Sequence, residues 1–98
     1  NPVYFGDLSE SLRAFLDRLR RSCMNPAGKE GVGGKMAVGI CVAGGGGGGA
    51  PSAIASLERV LGPCGFNTVD LIPVRRQNLA AKIEILRLSG RQMALGAY

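Results

Sequence analysis

Residues 36–43, Met-Ala-Val-Gly-Ile-Cys-Val-Ala, form an apolar run without polar alternation, and six consecutive glycines, Gly44 to Gly49, follow it at once. A strand wetted on one face alternates polar with apolar side chains. An unbroken run of this length therefore predicts a strand covered on both faces, as in a parallel sheet. The glycines end the strand and open a loop in which no Cβ stands between backbone and surroundings.

The segments around this run alternate between the helical and the extended pattern. Leu8, Leu12, Phe15, Leu16 and Leu19 place one apolar stripe on a helix over residues 8–22, with Asp7 as cap and Glu10 in capping-box position. Residues 24–35 carry Asn25, Pro26 and four glycines and read as an exposed loop. Ala50-Pro51-Ser52 opens a second helix with Ile54, Leu57, Val60 and Leu61 as its buried face, and Gly62-Pro63 is expected to stop it. Residues 66–74 predict a strand with Val69, Leu71 and also Phe66 as candidates to face inward and Pro73 at its end or on an edge. A last helix over residues 77–95 presents Leu79, Ile83, Leu86 and Met93, with Gly90 as a weak point. Strands joined by helix-length spacers imply right-handed crossovers and adjacent parallel strands, an α/β fold.

Composition narrows the function classes. The 98 residues make one domain at most, 46% of them are hydrophobic, and there is no apolar run long enough for a membrane span. With no histidine, neither imidazole acid–base chemistry nor His metal ligation is available within the chain. Cys23, Cys41 and Cys64 are widely spaced and odd in number, which predicts reduced thiols of a cytoplasmic protein. The net charge of +5 sits largely on Arg13, Arg18, Arg20 and Arg21 and on Arg75 and Arg76, without interleaved aromatics, so nucleic-acid stacking has no support. The chain starts with Asn in mid-pattern, and two strands make an inadequate sheet. The expectation is a piece of something longer that associates along an exposed edge through Val3, Phe15 and Val38.

The order Pro2-Val3-Tyr4-Phe5-Gly6, then Leu12-Arg13-Ala14-Phe15-Leu16-Asp17-Arg18, resembles the P-V-Y-[FW]-G…L-K-x-F-[IL]-D-R segment of the NAD(P)H-dependent FMN reductase family. This flavodoxin-like group includes iron–sulfur flavoproteins and some quinone reductases. Arg13 stands where Lys is usual, and Ala50-Pro51 replaces the family's Gln-Glu after the glycine loop. The resemblance implies a three-layer flavodoxin-like parallel sheet, of which residues 1–98 span the end of strand 3 to helix 5. It also implies FMN held beside backbone from Pro2, Val3, Tyr4, Phe5 and Gly6 and from Ala43, Gly44 and Gly45, with donors from Tyr4, Phe5 and Gly6. NAD(P)H would be the electron donor to a small acceptor in a homo-oligomer. The family's phosphate-binding loop lies before the matched segment. Its cluster-binding relatives use closely spaced cysteines, a spacing this chain lacks.

Other readings of the same residues stay open. Gly44, Gly46 and Gly49 satisfy G-x-G-x-x-G between a strand and a helix, the dinucleotide fingerprint, although Asp70 falls late for its acidic partner. The glycines also suit a plain connector in a non-enzymatic interaction or structural fragment. Tyr4 and Phe5 either flank a ligand or anchor a loop, and Arg75 and Arg76 either meet a cofactor phosphate or stand solvated. Asp17 and Arg18 read as surface charge or, by family analogy, part of a subunit contact.

Overall fold

The computed structural model describes residues 1–98. In chain order the elements are α1 (Glu10–Cys23), α2 (Pro26–Val32), β1 (Met36–Ala43), α3 (Ala50–Cys64), β2 (Asn67–Arg75), a 3-10 turn (Arg76–Asn78) and α4 (Leu79–Leu95). The strands are adjacent and parallel, Ile40 opposite Ile72 and Val42 opposite Val74, with one bulge at Ala37/Val38. The chain is thus an α/β domain with a two-stranded parallel sheet.

The two faces of the sheet are covered by different helices. Cys41 packs with Ala53, Leu57 and Leu61 of α3 and with Leu8 and Leu16 from the α1 side, forming one buried cluster. Gly39 lies on the same face: a methyl there would stand 2.6 Å from Leu57 Cδ2 and 2.7 Å from Leu71 Cδ2. Bare backbone at this position is what lets α3 lie close to the sheet. On the opposite face Val38 and Ile40 share a groove with Leu86, Gly90 and Met93 of α4. Strand alternation puts Ile72 and Val74 on that face also, and both are buried.

Several boundaries differ from the sequence expectation for identifiable reasons. Ser9, not Asp7, caps α1, its Oγ accepting the Leu12 N–H at 3.3 Å. Leu8 is buried and so precedes the helix, while the Asp7 carboxylate accepts the Leu8 N–H at 2.7 Å. Phe15 falls out of the expected stripe: it is exposed beside the open edge of β1, where no further strand covers it. Residues 26–32 are helical rather than loop, because Asn25 Oδ1 accepts the Gly28 N–H at 2.9 Å and Pro26 occupies the first turn.

α3 continues through Pro63 to Cys64. Proline removes a donor only near the exposed end of the helix, and Gly65, at φ 103°, supplies the left-handed stop. There the Gly65 N–H donates to Gly62 O and the Phe66 N–H to Leu61 O. Of the expected α3 face, Leu57 and Leu61 are buried, while Ile54 and Val60 flank the core. In β2 the deepest residues are Ile72 and Val74 rather than Val69 and Leu71, which are half-buried. Pro73 lies inside the strand opposite Cys41, and ladder alternation turns its nitrogen to the outer edge, where no donor is required. α4 starts at Leu79 and runs unbroken through Gly90, with Leu79 and Ile83 exposed. A sheet this narrow cannot cover the whole stripe.

Gly39→Val should lower stability by about 1–3 kcal/mol through overpacking against Leu57 and Leu71, read as a lowered Tm in thermal unfolding. Gly31 meets nothing within 4 Å, so Gly31→Ala in the exposed α2 should raise Tm slightly.

Candidate functional site

The carboxyl end of β1 carries a concave site. Asn1 and Val3 hydrogen-bond along its edge, with Val42 N–H donating to Asn1 O at 2.8 Å and Val3 N–H to Val42 O at 3.0 Å. Beyond Val3 the chain folds back. Tyr4 N–H donates to Asp7 O and Asp7 N–H to Tyr4 O, closing a tight turn around Phe5 and Gly6. Both central residues have positive φ, 50° for Phe5 and 72° for Gly6. This is the geometry of a two-residue mirror-image turn, which glycine takes freely and a phenylalanine only under strain. Phe5 is fully exposed, so no packing of its ring offsets that strain.

The turn is held from below by Asp7. Its carboxylate accepts from Leu8 N–H and pairs with Arg13 at 2.6 Å. The Leu8 N–H first, and then the Ser56 hydroxyl and the Arg13 charge, keep the carboxyl below its ordinary value of 3.8. Gly6 meets the glycine loop directly: a methyl on Gly49 would lie 2.6 Å from Gly6 Cα. Gly49 is therefore needed for space where turn and loop cross, whereas Gly6 is favoured there by its positive φ.

Pro2, Val3, Tyr4, Val42 and Ala43 wall a cavity of about 430 Å³ whose floor is Gly44 to Gly48. Of the residues read from sequence, Pro2, Val3, Tyr4, Ala43, Gly44 and Gly45 line it. Phe5 and Gly6 stand beside it in the turn. The Tyr4 N–H is engaged by Asp7, so it is not a free donor. Within the loop the Gly47 N–H donates to Gly44 O at 2.7 Å, which leaves the N–H groups of Gly44, Gly45, Gly46 and Gly48 without a protein acceptor. No carboxylate lines the cavity. The nearby Cys41 thiol is fully buried, and burial raises its pKa, so it is a packing group rather than a nucleophile.

Two residues that fix the loop were not assigned to it from sequence. Gln77 Nε2 donates to Gly46 O at 2.7 Å, and Arg76 Nη1 reaches Gly45 O at 3.4 Å. Gln77 also lies over Gly47, where an added methyl would stand 2.0 Å from Gln77 Oε1. The only sequence signal was position, since the residues after a parallel strand emerge at the same end as the loop after its neighbour. Arg75 ends β2 opposite Ala43. Asp70 is opposite Val38, away from the glycine loop, and its Oδ1 accepts the Leu71 N–H.

Comparison with known protein families, with curated proteins and with solved structures finds no match for this chain. No group of three His, Cys, Asp or Glu side chains converges as a metal site, and no helix is long and apolar enough to cross a membrane.

Gln77→Ala should loosen the loop without unfolding the domain, seen as faster amide exchange at Gly46 to Gly48 with Tm nearly unchanged. The depressed Asp7 pKa gives a second test. A carboxyl whose folded pKa lies below its unfolded one stabilises the fold above about pH 4, and that contribution is lost as pH falls through the folded value. Asp7→Asn should accordingly flatten the acid limb of a Tm against pH profile.

Proposed function

We propose that this chain forms the ring-side wall of an FMN site in an NAD(P)H-dependent oxidoreductase of the flavin or quinone reductase type, on a flavodoxin-like three-layer sheet. One observation carries the reading: an apolar edge and a set of unpaired backbone donors converge on one cavity at the carboxyl end of β1. Open parallel sheets bind their ligands there. The order of residues 2–6 and 12–18, which resembles the FMN reductase segment, selects the flavin among flat ligands.

The residues present fit such a group. Gly44, Gly46 and Gly48 have open space where side chains would otherwise stand, so a ring edge can approach their amides. Pro2, Val3, Tyr4 and Val42 offer an apolar wall, and the ring's carbonyl and nitrogen acceptors suit the free N–H groups of Gly44 and Gly45. Bound FMN supplies the hydride and electron chemistry. The chain's own part is to orient the ring, exclude water from one edge and hold the loop through Gln77. No side chain here is needed as acid, base or nucleophile. NAD(P)H and a small electron acceptor are the partners this reading implies. It further expects a homo-oligomer through the open edge of β1 and a cytoplasmic setting for the free thiols.

A second reading has its own observation. Arg75 ends β2 and Arg76 follows it beside the glycine loop, where a dinucleotide site of the G-x-G-x-x-G type places the group that meets the ribose or its 2′-phosphate. FMN and NADPH titrations separate the two. Flavin fluorescence should be quenched on adding the chain, and Gly44→Val should weaken FMN binding about tenfold or more while Tm holds. Binding of NADPH but not FMN would select the dinucleotide site. Binding of neither would leave the glycines as a connector in a non-enzymatic fragment.

A further inference from the structure

Away from the glycine loop, the carboxyl-terminal ends of two helices bring two thiols together. Cys23 is the last residue of α1 and Cys64 the last of α3, so residues far apart in sequence meet in one place. They are 5% and 1% exposed, and both face the same small cavity. Both line a cavity of about 280 Å³ with Arg20, Met24, Lys29 and Pro63, large enough to admit a small oxidant. Cys41, by contrast, lies in the core cluster with Asn1 Nδ2 as its polar neighbour at 3.8 Å.

We propose that Cys23 and Cys64 form a redox modification site, closed to a disulfide by a peroxide-class oxidant, that staples the end of α1 to the end of α3. The inference is independent of the flavin reading, because the two cysteines do not line the glycine-loop cavity.

The chemistry balances in two steps. The Cys23 sulfur, the more exposed of the pair, attacks one peroxide oxygen; an S–O bond forms, the O–O bond breaks, and water leaves with the thiol proton. The Cys64 sulfur then attacks the sulfenic sulfur, forming S–S and releasing the oxygen as a second water. The two sulfurs lose two electrons and the peroxide gains them. Burial first, and the neighbouring Cys23 thiol second, raise the Cys64 pKa, so its thiolate is scarce at neutral pH. Cys64 also sits at the C-terminus of α3, whose dipole disfavours an anion. The reaction is therefore slow and needs excess peroxide, which suits a bond formed under sustained oxidative conditions.

The staple has a mechanical consequence. α1 is tied to the rest of the domain chiefly through Leu16, Leu12 and Leu19, with Phe15 unpartnered. A bond between the helix ends closes a loop of about 40 residues that contains α2, β1 and α3, and long closed loops restrict the unfolded chain most.

The test uses the reduced 98-residue chain incubated with hydrogen peroxide under native conditions. The intact mass should fall by two hydrogens, and peptide mapping without reductant should show Cys23 joined to Cys64 with Cys41 still alkylatable. The oxidised form should melt higher, by on the order of 5 °C, and dithiothreitol should reverse the shift. Cys64→Ser should abolish the mass loss; mapping of the unsubstituted chain decides the matter if that variant does not fold. Intermolecular dimers, a bridge to Cys41, or a gain of two oxygens at Cys23 with Cys64 still free would each overturn the proposal.

Discussion

The approach of α3 to β1 at Gly39 is the contact on which the remaining structure depends. A parallel pair joined through a helix gains stability only when the helix covers the pair, because neither strand can satisfy its apolar side chains alone. Leu57 and Leu71 meet above bare backbone at Gly39, and from that point the buried cluster extends through Cys41, Ala53 and Leu61 to Leu8 and Leu16. The same seating carries the start of α3 toward the carboxyl end of β1 and sets the span that Gly44 to Gly49 must cross.

A second constraint is the crossing of two backbones at Gly6 and Gly49. The turn and the glycine loop are remote in sequence, yet they meet with no room for a Cβ on Gly49. Around this point the chain tolerates a strained Phe5, held by the two hydrogen bonds between Tyr4 and Asp7 and by the pairing of Asp7 with Arg13.

The opposite edge of β1 is less complete. Asn1 and Val3 extend the ladder only as far as Ile40 and Val42, and the groove beyond is lined by Leu12, Phe15, Leu19, Val38 and Phe66. Phe15 belongs to the helical stripe by its spacing, and its exposure shows that stripe membership and burial differ when the sheet is narrow. The same reasoning explains Leu79 and Ile83 on α4: a helix broader than the surface beneath it leaves part of its apolar face in water.

Local chemistry in the sequence was enough to place β1, both ends of the glycine loop, the start of α3 and the parallel pairing of β1 with β2, because an unbroken apolar run, six glycines and a first-turn proline each admit few backbone solutions. The convergence of residues 2–4 with Ala43, Gly44 and Gly45 was also legible as a shared end of the sheet, although Pro2 makes only a single parallel bridge to Val42 and no strand precedes the turn. Three features were decided elsewhere. Ser9 took the cap because Leu8 was drawn into the core, Ile72 and Val74 became the buried side of β2 because α4 covers that face, and Gln77 gained its hold on Gly46 only once the crossover through α3 had brought it there. The meeting of Cys23 and Cys64 at one cavity was hidden for the same reason. Contacts between distant segments follow from how helices seat on the sheet, and a pattern read along one segment carries no information about that seating.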